Sequence, residues 1–283
     1  MWLILALCSA IFAGFVSVLG KRGMASVPSN LATAIRSAVA LVLAWVLVAL
    51  SGVGFAGLEP SVIFALVLSG LATGASWLMY FKALKLGRVA QVVAIDRTSL
   101  LFTGVFAILF LGESNNLVLK LVGLFLVFAG TLILVWQRDG FGLKSLAWLP
   151  WALGSMAFAV ATTILAKVAL ASVDSTLATA LRTVVVVLFA SGIALAKGEF
   201  KGVGLLGSRS FVFLALSGLA TGASWLCYFG ALKLGQVSLV APVDKLSIVF
   251  AAVLAYVFLG EKVSRRGLVG LGVMVLGTLA LVL

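Results

Sequence analysis

The twenty residues 68–87, LSGLATGASWLMYFKALKLG, return at 216–235 as LSGLATGASWLCYFGALKLG. The correspondence runs on through Asp96 and Asp244, Ser99 and Ser247, and FLGE at 110–113 and 258–261. Upstream, ATAIR at 32–36 returns as ATALR at 178–182, and Lys21 matches Lys167. The offset is 148 residues in the first block and 146 upstream, so the second copy gained two residues between them. The chain is therefore read as a duplication, with one copy over 1–140 and the other over 141–283.

The material of each copy is apolar. The 283 residues are 64% hydrophobic and 10% charged, with a mean hydropathy of +1.30. A soluble domain carries roughly 25% charged residues; so few leave too little polar surface for a water-soluble particle, and the solvent is lipid. Ten stretches reach the roughly 20 apolar residues that span a bilayer: 2–20, 32–50, 61–83, 90–111, 117–135, 148–171, 176–196, 210–232, 238–259 and 266–283. Short connections carry turn residues, among them Pro28-Ser29-Asn30, Glu59-Pro60, Gly112-Glu113, Gly140 and Gly260-Glu261. A closed β-barrel, the other way to cross a membrane, needs alternating strands, and these runs are too uniformly apolar. The expected fold is all-α and integral to the membrane: ten transmembrane helices as two five-helix repeats. The first stretch, followed rather than preceded by Lys21-Arg22, reads as an uncleaved helix and not as a signal peptide.

Five helices per copy oblige the second copy to start from the opposite side, which makes the repeats inverted in topology. Charge gives an independent test. The loops after helices 1, 3, 5, 7 and 9 carry thirteen Lys and Arg, whereas those on the other side carry Lys120, Lys167 and Lys233. Basic loops face the cytoplasm, so both termini are expected outside. Equivalent loops also differ in charge: Asn115-Asn116 in one copy stands where Arg265-Arg266 stands in the other. The net charge of +12 thus reflects topology and contact with anionic headgroups, not nucleic acid.

The set ATALR, SGLATGASWLCYFGALKLG, VAPVDK and FLGE, in that order, resembles the EamA-type units of the drug/metabolite transporter superfamily. The chain looks like two units of its small five-helix bacterial and archaeal subgroup fused head to tail. The resemblance implies transport of small metabolites or drugs without ATP hydrolysis, often as export, in the bacterial or archaeal cytoplasmic (inner) membrane. It also implies a cavity lined by helices 1, 3, 4, 6, 8 and 9, with helices 5 and 10 peripheral. Members commonly keep their termini in the cytoplasm; the charges of this chain argue the reverse.

Charges inside a spanning helix mark functional sites by default. Six remain once the loops are set aside: Arg36, Asp96 and Arg97 in the first copy, and Arg182, Asp244 and Lys245 in the second. Each lies about 9–10 Å into its helix at 1.5 Å per residue, which places Arg36 level with Asp96 and Arg182 level with Asp244. The expected picture is two clusters, one either side of the midplane, lining a pathway or else pinning helices as ion pairs. Their surplus positive charge favours an anionic or zwitterionic solute. Trp77 and Tyr80 in helix 3, and Trp225 and Tyr228 in helix 8, share a face with nearby Thr and Ser at helical spacing, suited either to stacking a substrate or to packing. Gly70/Gly74 and Gly218/Gly222, with the stripes Gly123/Gly130 and Gly270/Gly277, read as close helix contacts. Lys82, Lys85 and Lys233 are expected to reach for headgroups, and Pro242 to kink helix 9.

Histidine is absent, and Cys8 and Cys227 occupy separate apolar stretches; no metal or other cofactor is expected, and the cysteines read as small packing residues. Neither a nucleophile–base pair nor a phosphate loop is present, so the chain is not read as an enzyme or a self-contained ATP-driven pump. The reading is a secondary transporter of a small solute, working by alternating access in the lipid bilayer. Its duplication lets a monomer supply both halves of the pathway, with a dimer left open. A non-transporting membrane scaffold is the alternative.

Overall fold

The computed structural model describes residues 1–24, 27–55, 58–86, 89–135, 146–260 and 263–282. The turn at Gly140, the division at 140/141, Arg88, Arg138, Lys144, Glu261, Lys262 and the side chain of Lys85 lie outside the described residues. Each expected apolar stretch is helical: α1 (Trp2–Gly23), α2 (Ser29–Ser51), α3 (Pro60–Leu86), α4 (Val89–Phe110), α5 (Leu117–Val135), α6 (Leu149–Ala169), α7 (Ser175–Ala196), α8 (Ser208–Leu234), α9 (Val237–Asp244), α10 (Ser247–Leu259) and α11 (Arg265–Val282). Among the described residues eight stretches are long and apolar enough to cross a membrane, Val237–Phe258 (spanning α9 and α10) being one. In hydrocarbon only a helix satisfies its own backbone, which is why near-featureless apolar sequence takes this form throughout.

The ninth stretch is interrupted. Proline 242 has no N–H to donate back along α9. One turn later the ladder gives way to tighter bonds, Lys245 N–H reaching Pro242 O at 3.1 Å and Leu246 N–H reaching Val243 O at 3.0 Å. The first copy has Ala94 at that place, and α4 runs unbroken.

The copies are interleaved. Helix α1 packs on α8 and α3 on α6; α2 lies against α7 and α8, α4 crosses α9, and α5 pairs with α11. The glycine pairs explain how closely. A Cβ on Gly70 would stand 2.7 Å from Val185 Cβ, and one on Gly218 2.6 Å from Val39 Cβ. On α5 and α11, Gly123 and Gly277 face each other, a Cβ on either lying 2.9 Å from the other's carbonyl oxygen. These are the close contacts that the spacing predicts.

Helix ends are tied across the copies too. Asp174 caps α7, accepting the Thr176 N–H at 2.7 Å. The first copy has Pro28 there, and Glu199, in the 3-10 segment Glu199–Leu205, accepts the N–H groups of Asn30 and Leu31 at 3.1 Å each instead. In FLGE, Gly112 and Gly260 end α4 and α10 at φ +69° and +68°, a left-handed conformation that glycine adopts without cost. Glu113, buried, accepts the Val237 N–H at 2.7 Å and the Ser238 N–H at 2.8 Å, and so caps α9.

Candidate functional site

A cavity of about 370 Å³ lies between the copies. Its walls come from α1 (Ser9, Ala13), α3 (Thr73, Ser76, Trp77), α6 (Ala159, Thr162, Thr163), α7 (Arg182), α8 (Ser224, Trp225, Tyr228, Phe229) and α9–α10 (Asp244, Lys245, Ser247). Six sequence-predicted residues therefore meet in one space: Trp77, Arg182, Trp225, Tyr228, Asp244 and Lys245. Arg36, Tyr80, Asp96 and Arg97 do not line it. The lining sits toward the end of the bundle where α1 begins and α11 finishes, here called the upper end. Its centre is symmetric, since Trp77 and Trp225, Ser76 and Ser224, and Ala13 and Ala159 are equivalent pairs. Its flank is not, because only the second copy's charges reach it.

Aspartate 244 is held by α1. Ser9 Oγ donates to its Oδ1 at 2.6 Å and shares a hydrogen bond with Ser224 Oγ at 3.2 Å. With the Ser9 proton committed to the carboxylate, Ser224 is the donor to Ser9. The other half repeats this geometry: Ser155 Oγ donates to Asp96 Oδ1 at 3.0 Å and lies 3.2 Å from Ser76 Oγ. In both, the first-helix serine of one copy joins the carboxylate and serine of the other. Sequence reading missed Ser9 and Ser155, although their recurrence at the 146-residue offset was there to be read.

The arginines differ from expectation. Depth places Arg36 level with Asp96 and Arg182 level with Asp244, but the hydrogen bonds of both arginines go elsewhere. Arg182 Nε donates to Ser69 Oγ at 3.0 Å, and its Nη2 donates to Thr73 Oγ1. Its guanidinium also lies 4.8 Å from the Phe229 ring centre and 5.8 Å from that of Trp225, within cation–π range. Arg36 Nη2 donates to Thr221 Oγ1, the equivalent of Thr73, at 3.3 Å, while its buried Nε has no partner. The reason is packing: α2 and α7 lie against the other copy's third helix. Depth in the membrane does not fix which way a helix is turned.

Arg97 and Asp96 lie within electrostatic reach of Lys245 where α4 crosses α9. The adjacent pairs Asp96-Arg97 and Asp244-Lys245 thus gather near the centre, with no net charge between them, rather than in separated clusters. Tyr80 packs beside Ala83, Val92, Trp148 and Ala152. Lys82 lies 3.5 Å from the Trp151 ring centre. Lys233 Nζ donates to Val173 O at 2.9 Å, so this lysine ties α8 to the α6–α7 turn.

Known proteins agree with this architecture. The model of the EamA-like transporter family matches residues 1–136 and again 146–283. A curated protein from Sinorhizobium sp, described as an uncharacterized transporter in the cobO 3′ region, is 47% identical over 137 residues, which are 48% of this chain and 97% of that protein. Its length is thus that of one repeat. A solved crystal structure superposes with a TM-score of 0.81 at 19% identity, covering 100% of this chain and 98% of its own, and shares the fold. With both repeats matched and the helices those of a multi-pass membrane protein, this chain belongs to the EamA-like transporter family and is a non-enzymatic membrane transporter.

Proposed function

We propose that the chain is a secondary carrier that exports a small anionic or zwitterionic metabolite or drug across the bacterial or archaeal cytoplasmic membrane. It works by alternating access between two inverted five-helix repeats, ten crossings in all, as a monomer. The observation that carries the reading is the one-sided cavity. A symmetric scaffold of equivalent halves has no need of a space flanked by one copy's charges alone. A carrier caught with one face open has such a space, and exchange of the halves' roles moves it to the other face.

The cavity supplies the chemistry of recognition. Lys245 offers an ammonium and Asp244 a carboxylate, while Trp77, Trp225, Tyr228 and Phe229 offer apolar and stacking surface. Arg182 is engaged by Ser69 and Thr73 and shapes the wall. Both termini are placed outside. In support, the lysines of the sparsely charged upper face have structural bonds: Lys120 to Glu113 O and Gln236, Lys167 to the carbonyls of Leu232 and Gly235, and Lys233 to Val173 O.

A thermal-shift screen of purified protein against amino acids, nucleosides, organic acids and cationic drugs, followed by proteoliposome flux for each hit, tests the reading. A stabilising solute that is also transported, outward in oriented vesicles, supports it. Stabilisation by none, with no flux, transfers the weight to a scaffold.

A further inference from the structure

The two cysteines sit on α1 and α8, in different copies, and the register of that antiparallel seam sets them at the same level. A Cβ built on Gly235 would stand 3.0 Å from Trp2 Cβ, and one on Gly230 3.3 Å from Leu5 Cδ1; Ser9 Oγ lies 3.2 Å from Ser224 Oγ. As these contacts run down α1 their partners run back along α8, so the two helices are antiparallel. Three residues on from Leu5 is Cys8; three back from Gly230 is Cys227. Small residues hold the backbones close along the seam: a Cβ on Gly23, farther down, would lie 3.0 Å from Leu214 N.

The twofold relation between the copies gives an independent check. The equivalents of Cys8 and Cys227 are Gly154 and Met79, on α6 and α3. A Cβ on Gly154 would overlap Met79 Sδ. The side chain at the Cys227-equivalent position therefore points straight at the position of the Cys8-equivalent Cβ. Both thiols are half-buried and within electrostatic reach of each other. Cys8 also shares the stripe of Ile4 and Ile11, both exposed on the outward side of α1, where a membrane-permeant reagent can reach it.

The geometry points to an inter-repeat dithiol, Cys8 with Cys227, which a permeant oxidant closes to a disulfide that staples α1 to α8. Disulfides require Cα atoms about 4.4–6.8 Å apart, and the Gly and Ser contacts of this seam bring its two backbones close. With an azo oxidant such as diamide, the two thiols surrender two protons and two electrons, an S–S bond forms, and the N=N bond is reduced to a hydrazine. The staple lies one residue from Ser9, which lines the cavity. The crosslink stands apart from the transport reading, and its effect on flux rests upon that reading.

The test uses the full chain in detergent or liposomes, treated with diamide and then titrated for thiols under denaturing conditions. The expected result is a fall from two free thiols per chain to none, at monomer mobility on a non-reducing gel. Peptide mapping should give one linked peptide containing both cysteines, and dithiothreitol should restore both thiols. Ser at either position leaves the other thiol titratable. As a second measurement, M79C with G154C in a C8S/C227S background crosslinks likewise. Two thiols surviving oxidation, or their loss through chain dimers or mixed adducts, overturns the proposal. If the staple forms and flux is unchanged, the dithiol stands and α1 with α8 moves as one body during transport.

Discussion

Glu113 Oε1 accepts the N–H of Val237 at 2.7 Å, so the residue that follows the glycine stop of α4 closes the first turn of its counterpart, α9. Lys120 Nζ braces the same corner, donating to Glu113 O at 2.7 Å and to Gln236 Oε1 at 2.6 Å. Asp244, seven residues past Val237, is carried into the cavity by the helix that this cap anchors.

Replacing the carboxylate tests that anchor. Glu113→Ala strips two N–H groups of their acceptor, and loss of a cap costs about 0.5–2 kcal/mol. Thermal unfolding in detergent should show a lower midpoint, with Glu113→Gln falling between because its amide oxygen still accepts. A wild-type midpoint for Glu113→Ala would refute the capping role.

The cavity's asymmetry separates two aspartates that the repeat makes equivalent. Asp244→Asn should abolish stabilisation by a transported solute, whereas Asp96→Asn, whose carboxylate lies off the cavity wall, should retain it. Ser9→Ala should weaken the stabilisation without abolishing it. Thermal-shift titrations of the three variants decide the matter; equal losses at Asp96 and Asp244 would contradict the one-sided site.

Arg182 places a forked cation against two hydroxyls, and lysine cannot reproduce the fork. Arg182→Lys should destabilise the protein by about 2 kcal/mol, the scale of a charged hydrogen bond lost in a buried place. A double-mutant cycle with Thr73→Val should show the two changes to be non-additive. Additive losses would mean that the pair does not interact.

Glycine at the α5–α11 contact can be separated from glycine in general. Gly277→Leu drives a side chain into Val127 N and Gly123 O, and overpacking costs typically about 1–3 kcal/mol. Gly192→Ala, on α7 with open space around it, should leave stability unchanged or raise it. Unfolding midpoints of the two variants should diverge in those directions.

The duplication, the helical stretches and the glycine contacts were legible because they depend on composition and spacing along one chain. The deep charges were also legible, since depth follows from counting residues at a fixed rise. Partners were not. Arg36 meets Thr221 and not Asp96 because α2 packs into the opposite copy, and nothing in a helix's own sequence records its rotation against a distant one. Serines 9 and 155 were overlooked inside apolar runs, where a lone hydroxyl reads as filler until a carboxylate is seen beside it. FLGE was visible as a repeated string, yet its meaning, a left-handed stop followed by a cap for the other copy, required the fold.

Proline 242 opposite Ala94, Asp174 opposite Pro28, and Lys120 with no cation at its counterpart, Leu268, show the two copies drifting apart at matched places. Identical subunits arranged about a twofold axis must present the same door to both compartments, so any bias has to come from the solute gradient. Within a single polypeptide each door can acquire its own hinge and bolt. The two faces can then grip the solute with different strength, while the gradient alone still sets which way net flux runs.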